Sequence, residues 1–434
     1  MTAAQAGIPQ SLRYSQKTDF APRLGFAWRP FGNDQTVIRG GYGRYIEALL
    51  GSAVLDAWAV ESSDVGVFRN VIANGKPTYT FPNPYPSNIA QPGTQSFDLA
   101  NDIHYKDPYV QQWDLTVERE LGKGIALRVS YDGNHGSNLG IIENLNQVHA
   151  NTVGFSSANA SAPYPIFDYI YYQTNKGYSN YNALTVVAEK RFSHGLQFQT
   201  SYIFARNLSN VGGYDPTNAF AGEGGGTISD PYNPGLDYGN VNYTRRNRFL
   251  TTFLYELPIG KGKAFLNGGN GVLDRIVGGW QLSGVLLFQT GPFMTVISPG
   301  DPSGTGFDQL VGNSRADTVQ GVNPYAGQSI HQWINPAAFT VPPDNVGRFG
   351  NASVGDVTGP GTQSVSLSLI KTIRFSETTR FQIGGDAANL FNHPNYAAPN
   401  NLTLRTSGFA SITALQTAEG AGPRVLQLTA RFNF

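Results

Sequence analysis

Apolar and polar residues alternate one by one over short stretches of this chain, most strictly in the last of them. From Arg424 onward, Leu426, Leu428, Ala430, Phe432 and Phe434 share one face, and Gln427, Thr429, Arg431 and Asn433 the other. A period of two with one apolar face predicts a β-strand between two unlike surroundings. Its length is about that with which a tilted strand crosses a bilayer. Five pairs of similar runs predict hairpins. In the first, Leu24, Phe26 and Trp28 alternate with Arg23, Gly25, Ala27 and Arg29, and a Gly32-Asn33-Asp34 turn leads into 36–42. In the second, Trp113, Leu115 and Val117 alternate with Gln112, Asp114, Thr116 and Glu118. A Gly122-Lys123-Gly124 turn then returns Ile125, Leu127, Val129 and Tyr131 against Arg128, Ser130 and Asp132. The third spans 181–205 around Ser193-His194-Gly195 and carries Glu189; the fourth spans 243–289 with a longer connection at 258–278. In the fifth, Val365, Leu367, Leu369 and Ile373 alternate with Ser364, Ser366, Ser368, Thr372 and Arg374. A turn at 376–379 returns Phe381 and Ile383 against Gln382 and Asp386.

The connections sort into two kinds that take turns along the chain. Tight turns alternate with long polar stretches at 47–106, 135–179, 207–242, 291–360 and 393–421. Short turns on one side and long loops on the other are the rule of outer-membrane barrels, whereas a soluble sandwich has no reason to segregate them. The expected fold is therefore all-β: a partial antiparallel transmembrane β-barrel, with long extracellular loops and short periplasmic turns. Five hairpins and the last strand make about 11 strands, and a small hairpin within 47–106 would make about 13. The stretch 291–360 is far longer than ordinary loops, so it is expected to be functional or disordered.

Composition agrees with this reading. Charged residues are only 14%, aromatic residues 12%, and Gly numbers 51. Soluble domains carry about 25% charged residues. No apolar run reaches the ~18 residues of a helical span, and a mean hydropathy of −0.26 is what alternating strands give. Zero net charge gives no reason to expect nucleic acid. Cys is absent. Residues 1–16 hold no basic segment followed by an apolar one, so no signal peptide is read there. Counting strands back from a periplasmic Phe434 puts residues 1–19 outside the cell, where a barrel inserted from the periplasm does not begin. Both points lead to the expectation of missing upstream sequence. A terminal aromatic strand also suits recognition by the barrel-assembly machinery.

A series of phrases in one order, covering most of the chain outside the loops, resembles the Oar-like TonB-dependent outer-membrane transporters. It includes TDFAPRLGFAWRPFGNDQTVIRGGYGRY, DPYVQQWDLTVERELGKGIALRVSYDGNHGSNL and SNYNALTVVAEKRFSHGLQFQTSYIFARNLSN. RNRFLTTFLYELPIGKGK, GGWQLSGVLLFQTGPFMTV, INPAAFTVPPDNVGRFGNA and ANLFNHPNY follow. The resemblance implies a barrel of about 22 strands, preceded by a plug domain and commonly a small sandwich domain. On that basis residues 1–434 are the C-terminal portion of the barrel, without plug or signal peptide. The implied partners are outer-membrane lipid, the assembly machinery, the plug and the TonB system, with no nucleic acid.

No catalytic constellation emerges, and no cofactor or metal is expected. Six His are scattered without metal spacing, and Asp301, Asp308 and Asp317 lack EF-hand spacing. The polar strand faces carry Arg23, Arg29, Arg128, Arg374 and Arg431 against Asp114, Glu118, Asp132, Glu189 and Asp386. These charges either pair across strands in a wet lumen or dock the absent plug. Loop aromatics (Tyr164, Tyr169, Tyr171, Tyr172, Tyr232, Tyr238, Trp333 and Tyr396) are candidates for stacking on a sugar or peptide. Uptake of an unidentified substrate is the leading expectation. A surface adhesin or a small passive pore is the alternative.

Overall fold

The computed structural model describes residues 3–11, 13–32, 35–47, 72–73, 75–77, 95–155, 161–165, 167–212, 226–267, 271–307 and 314–434. Eleven strands form one antiparallel ladder in which each neighbour in sequence is a neighbour in the sheet. They are β1 (Arg23–Trp28), β2 (Thr36–Ile46), β3 (Tyr109–Gly122), β4 (Ile125–Asn144), β5 (Phe167–Ser193) and β6 (Leu196–Ser209). β7 (Asn247–Glu256), β8 (Trp280–Gln289), β9 (Thr362–Arg374), β10 (Arg380–Ala388) and β11 (Val425–Asn433) complete it. The turns 123–124 and 194–195 have two residues each with positive φ: Lys123 at 53° and Gly124 at 72°, His194 at 52° and Gly195 at 79°. That is the primed turn whose twist matches an antiparallel pair. Asn33 and Asp34 of the first expected turn lie outside the described residues.

Register decides which residues share a face. Trp28 lies opposite Ile38, and the row continues through Val117, Val129, Val186, Tyr202 and Phe249 to Phe288. Every member is apolar or aromatic, so eight strands present one continuous apolar face. The row starts beside a tight turn and ends one residue short of a long loop. Strands in this sheet are therefore staggered, as they are in a tilted barrel wall. Glycines on this face are roofed by aromatic rings from the next strand: Trp113 over Gly133, Phe26 over Gly40, and Phe253 over Gly284. Each ring restores the packing surface that its glycine lacks.

The ladder runs further than the apolar alternation does. β4 reaches Asn144 and β5 begins at Phe167, so much of the stretch expected as loop at 135–179 is strand. Backbone hydrogen bonds continue the pairing there, as in Glu143 opposite Tyr172. Beyond the hydrocarbon both faces meet polar surroundings, so alternation stops marking a strand. Strand Gln95–Asn101 lies parallel to β5, a contact that no local pattern announces. A two-residue hairpin pairs Ile72 with Pro77 and Ala73 with Lys76 inside the 47–106 stretch. The 257–279 connection carries a short helix, Gly271–Val277.

The largest buried apolar cluster lies in the loops. Met294, Val296, Ala316, Ile334, Phe339 and Val357 from 290–361 pack with Leu402, Leu404 and Ala410 from 389–424. Three short strand pairs tie the first of these loops to itself, Phe293–Met294 with Val357–Thr358 among them. The 291–360 stretch is thus an ordered mini-domain over its described residues.

Candidate functional site

The second face of the sheet is polar. By register, Arg23, Asp114, Glu118, Arg128, Asp132 and Glu189 share it with Arg374, Asp386 and Arg431. Arg29 lies one residue past β1, beyond the ladder. Pairing across strands accounts for some of these charges. Glu118 sits 2.8 Å from Arg39 and 3.9 Å from Arg128. Arg39 escaped the list of candidate charges, although its parity with Val37 and Gly41 marks the same face. Arg23 stacks over the Tyr45 ring at 4.6 Å. Elsewhere like charges stand directly opposite: Asp114 faces Asp132, and Arg374 faces Arg380. A recess of about 460 Å³ lies beside the first pair, where Gly25, Gly41 and Gly43 leave the wall without side chains.

The apolar face carries two lysines, both close to the tight turns. Lys190 donates to the Lys123 carbonyl at 3.3 Å, and Lys371 to the Gly278 carbonyl. Their heads thus leave the apolar belt while their stems cross it. On β11, Leu428 is 89% exposed and Leu426 69%, and by register Leu426, Leu428, Ala430 and Phe432 share the apolar face, with Phe434 one residue past the strand. Such exposure is consistent with lipid, because water would meet a large contiguous apolar surface.

The long loops interlock above the opposite rim. Tyr232 donates to the Gln147 carbonyl at 2.7 Å, and Gln147 donates to the Ser229 carbonyl at 2.8 Å. Asn151 reaches the Gly304 carbonyl, and Asn240 the Gly355 carbonyl. The last loop bends down onto the polar face, where Glu419 meets Arg248 at 2.6 Å and the Gly420 carbonyl accepts from Ser364. That ion pair holds the Glu419 carboxyl below its ordinary range. At the centre of the cap Asp237 and Arg315, both almost fully buried, lie 3.5 Å apart. Asp237 also accepts from the Ser229 amide and hydroxyl. Burial nevertheless outweighs these partners and raises its carboxyl. Nearby Asp356 is pushed by burial up to about 7, against the pull of Arg315.

Several of the loop aromatics are taken up in separate ring pairs. Tyr232 stacks on His149 at 3.8 Å, Tyr238 on Tyr178 at 4.9 Å, and Tyr169 meets Tyr171. Trp333 packs on the loop core and donates to the Thr358 carbonyl. Asp301 caps its own turn, and Asp317 is held by Arg348 at 2.7 Å; Asp308 lies outside the described residues. Among the described residues no group of three His, Cys, Asp or Glu is placed to hold a metal.

No curated protein matches the chain. Among solved structures, the outer membrane transporter YddB from Escherichia coli is similar at TM-score 0.47 and 12% identity, over 95% of this chain and 40% of that one. The ferripyoverdine receptor of the Pseudomonas aeruginosa outer membrane gives 0.41 and 11%, over 96% and 33%. The ferric preacinetobactin receptor BauA from Acinetobacter baumannii gives 0.42 and 9%, over 95% and 36%. The chain spans less than half the length of each. A family model described as outer membrane beta barrel domain matches residues 1–427. With its one-sided apolar sheet and segregated loops, this chain belongs to the outer membrane beta barrel domain family and is a protein of the outer membrane.

Proposed function

We propose that this chain is part of the barrel wall of a TonB-dependent, Oar-like transporter and takes part in substrate uptake across the outer membrane. The observation that carries the reading is the pair of sheet edges. β1 and β11 both run from the loop side to the turn side, and each has one neighbour among the described strands. An antiparallel sheet of this kind closes only through an odd number of further strands, which suits a larger barrel of about 22. The polar face then lines a lumen, and the facing carboxylates Asp114 and Asp132 are where a plug domain of opposite charge seats. TonB would act through that plug. The folded loop cap also favours a second reading, adhesion through the extracellular surface.

Two measurements separate these readings from a passive pore. An antibody against the Phe434 end is expected to detect a native species larger than the 46.9 kDa of this chain, and uptake is expected to stop when the TonB system is removed. A native species of that mass alone, conducting ions steadily in a planar bilayer, would replace the proposal with the pore. Cell attachment that survives loss of TonB and needs the loop cap would favour the adhesin.

A further inference from the structure

We propose that the periplasmic rim between the 257–279 connection and the 375–379 turn binds the headgroup of an anionic phospholipid. The inference needs the sheet to stand in the outer membrane; it does not need the protein to transport anything. It starts from charge. Arg374 closes β9 directly opposite Arg380, the first residue of β10, and Arg431 lies diagonal to Arg380 on β11. Like charges directly opposite destabilise a sheet unless something compensates them. No carboxylate of the described residues pairs with Arg374, Arg380 or Arg275. Of the acids at hand, Glu256 pairs with Lys263 at 2.9 Å and Asp274 accepts from the Lys261 amide, while Glu377, in the turn itself, forms no ion pair with the three arginines.

These cations border a cavity of about 430 Å³, with Gln281 and Gln382 as further donors. Planar guanidinium forks suit an oxyanion, which can accept from two nitrogens of each. The same cavity is lined by Trp280 and Ile373, which stand on the apolar face. Lys371 reaches the Gly278 carbonyl at this level and lies 5.5 Å from the Trp280 ring. An aromatic ring with a snorkelling lysine marks the boundary between hydrocarbon and water. Beside it the connection exposes Phe265, Leu266 and Ile276, at 63%, 58% and 64%. A site with cations inward and apolar side chains at the lipid boundary fits an amphiphile with an anionic head. A free anion would have no use for the apolar half.

The test uses the protein purified from outer membranes and equilibrated with mixed phosphatidylglycerol and phosphatidylcholine, with bound lipid counted by native mass spectrometry. The anionic lipid should be retained in preference. Arg374→Gln and Arg380→Gln should each weaken that preference about fivefold, from roughly 1 kcal/mol per basic residue near a charged surface. The double Arg→Lys variant should keep most of it, as should Arg405→Gln, in an extracellular loop. Inorganic phosphate at constant ionic strength should leave the lipid bound. Equal retention of the two lipids by the unaltered protein would overturn the proposal without any variant. So would a preference that survives both Gln substitutions, or one that inorganic phosphate abolishes, which would make this a free-anion site.

Discussion

Leu428 and Thr429 are adjacent in sequence and stand on opposite sides of the wall. Leu428 pairs with Gly385 on the apolar face and Thr429 with Gly384 on the polar one. An arginine facing lipid near the midplane costs about 2–4 kcal/mol, and the same side chain in a wet lumen costs little. Leu428→Arg and Phe253→Arg are therefore expected to block assembly, while Thr429→Arg still gives a heat-modifiable band on unboiled gels. Equal damage from Leu428→Arg and Thr429→Arg would refute the assignment of faces. Lys190 and Lys371 show the limit of the rule, since a cation is accepted on that face where its ammonium reaches a turn carbonyl. Burial likewise sets the worth of ion pairs. Arg39 and Glu118 remain 53% and 29% exposed at their side chains, so Glu118→Gln should change unfolding in urea by no more than about 1 kcal/mol.

Elements divide by whether their surroundings impose a pattern. Strands whose two faces meet lipid and water must alternate, so the hairpins of β1 to β11 were readable residue by residue, as was the turn at His194 and Gly195. The upper ends of β4 and β5, the parallel strand Gln95–Asn101 and the loop core carry no such constraint. Met294, Ile334 and Leu402 come together from segments far apart in sequence, and no local period encodes that meeting. The polar face was legible as a face; its like-charged pairs were not, because they depend on register. The cap offers its own test. Arg315→Ala would leave Asp237 buried without its cation, which costs about 3–5 kcal/mol. Trypsin should then cut within 290–361 while the strand ladder stays protected; an uncut loop would mean that the pair does not hold the cap. Asp356 makes the cap sensitive to pH. Its carboxyl is raised from 3.8 to about 7, so between those values the folded cap binds more protons than the unfolded chain. Stability should therefore fall as pH rises through that window. Asp356→Asn should reduce the dependence to the share left by Asp237, whose carboxyl burial also raises, and greater protease resistance at pH 8 than at pH 5 in the unaltered cap would contradict it.

At the scale of the whole molecule the decisive feature is an edge. In hydrocarbon each unpaired backbone group costs several kcal/mol, so neither β1 nor β11 can leave toward lipid the side that has no partner among the described strands. The two edges cannot satisfy one another in antiparallel register, because both strands run in the same direction. Parallel closure would demand a slanted hydrogen-bond pattern at one seam of an otherwise antiparallel wall. It would also have to join the six residues of β1 to the nine of β11. Residues 1–434 delivered to the periplasm by themselves are accordingly expected to be degraded or to aggregate there. Co-production of a polypeptide that supplies an odd number of further strands should rescue them. Gel mobility before and after boiling, with trypsin resistance, reads the outcome directly. A compact monomer of residues 1–434 that shifts on boiling and resists trypsin would show that the wall closes alone, and the passive pore would then describe this protein better than the larger transporter does.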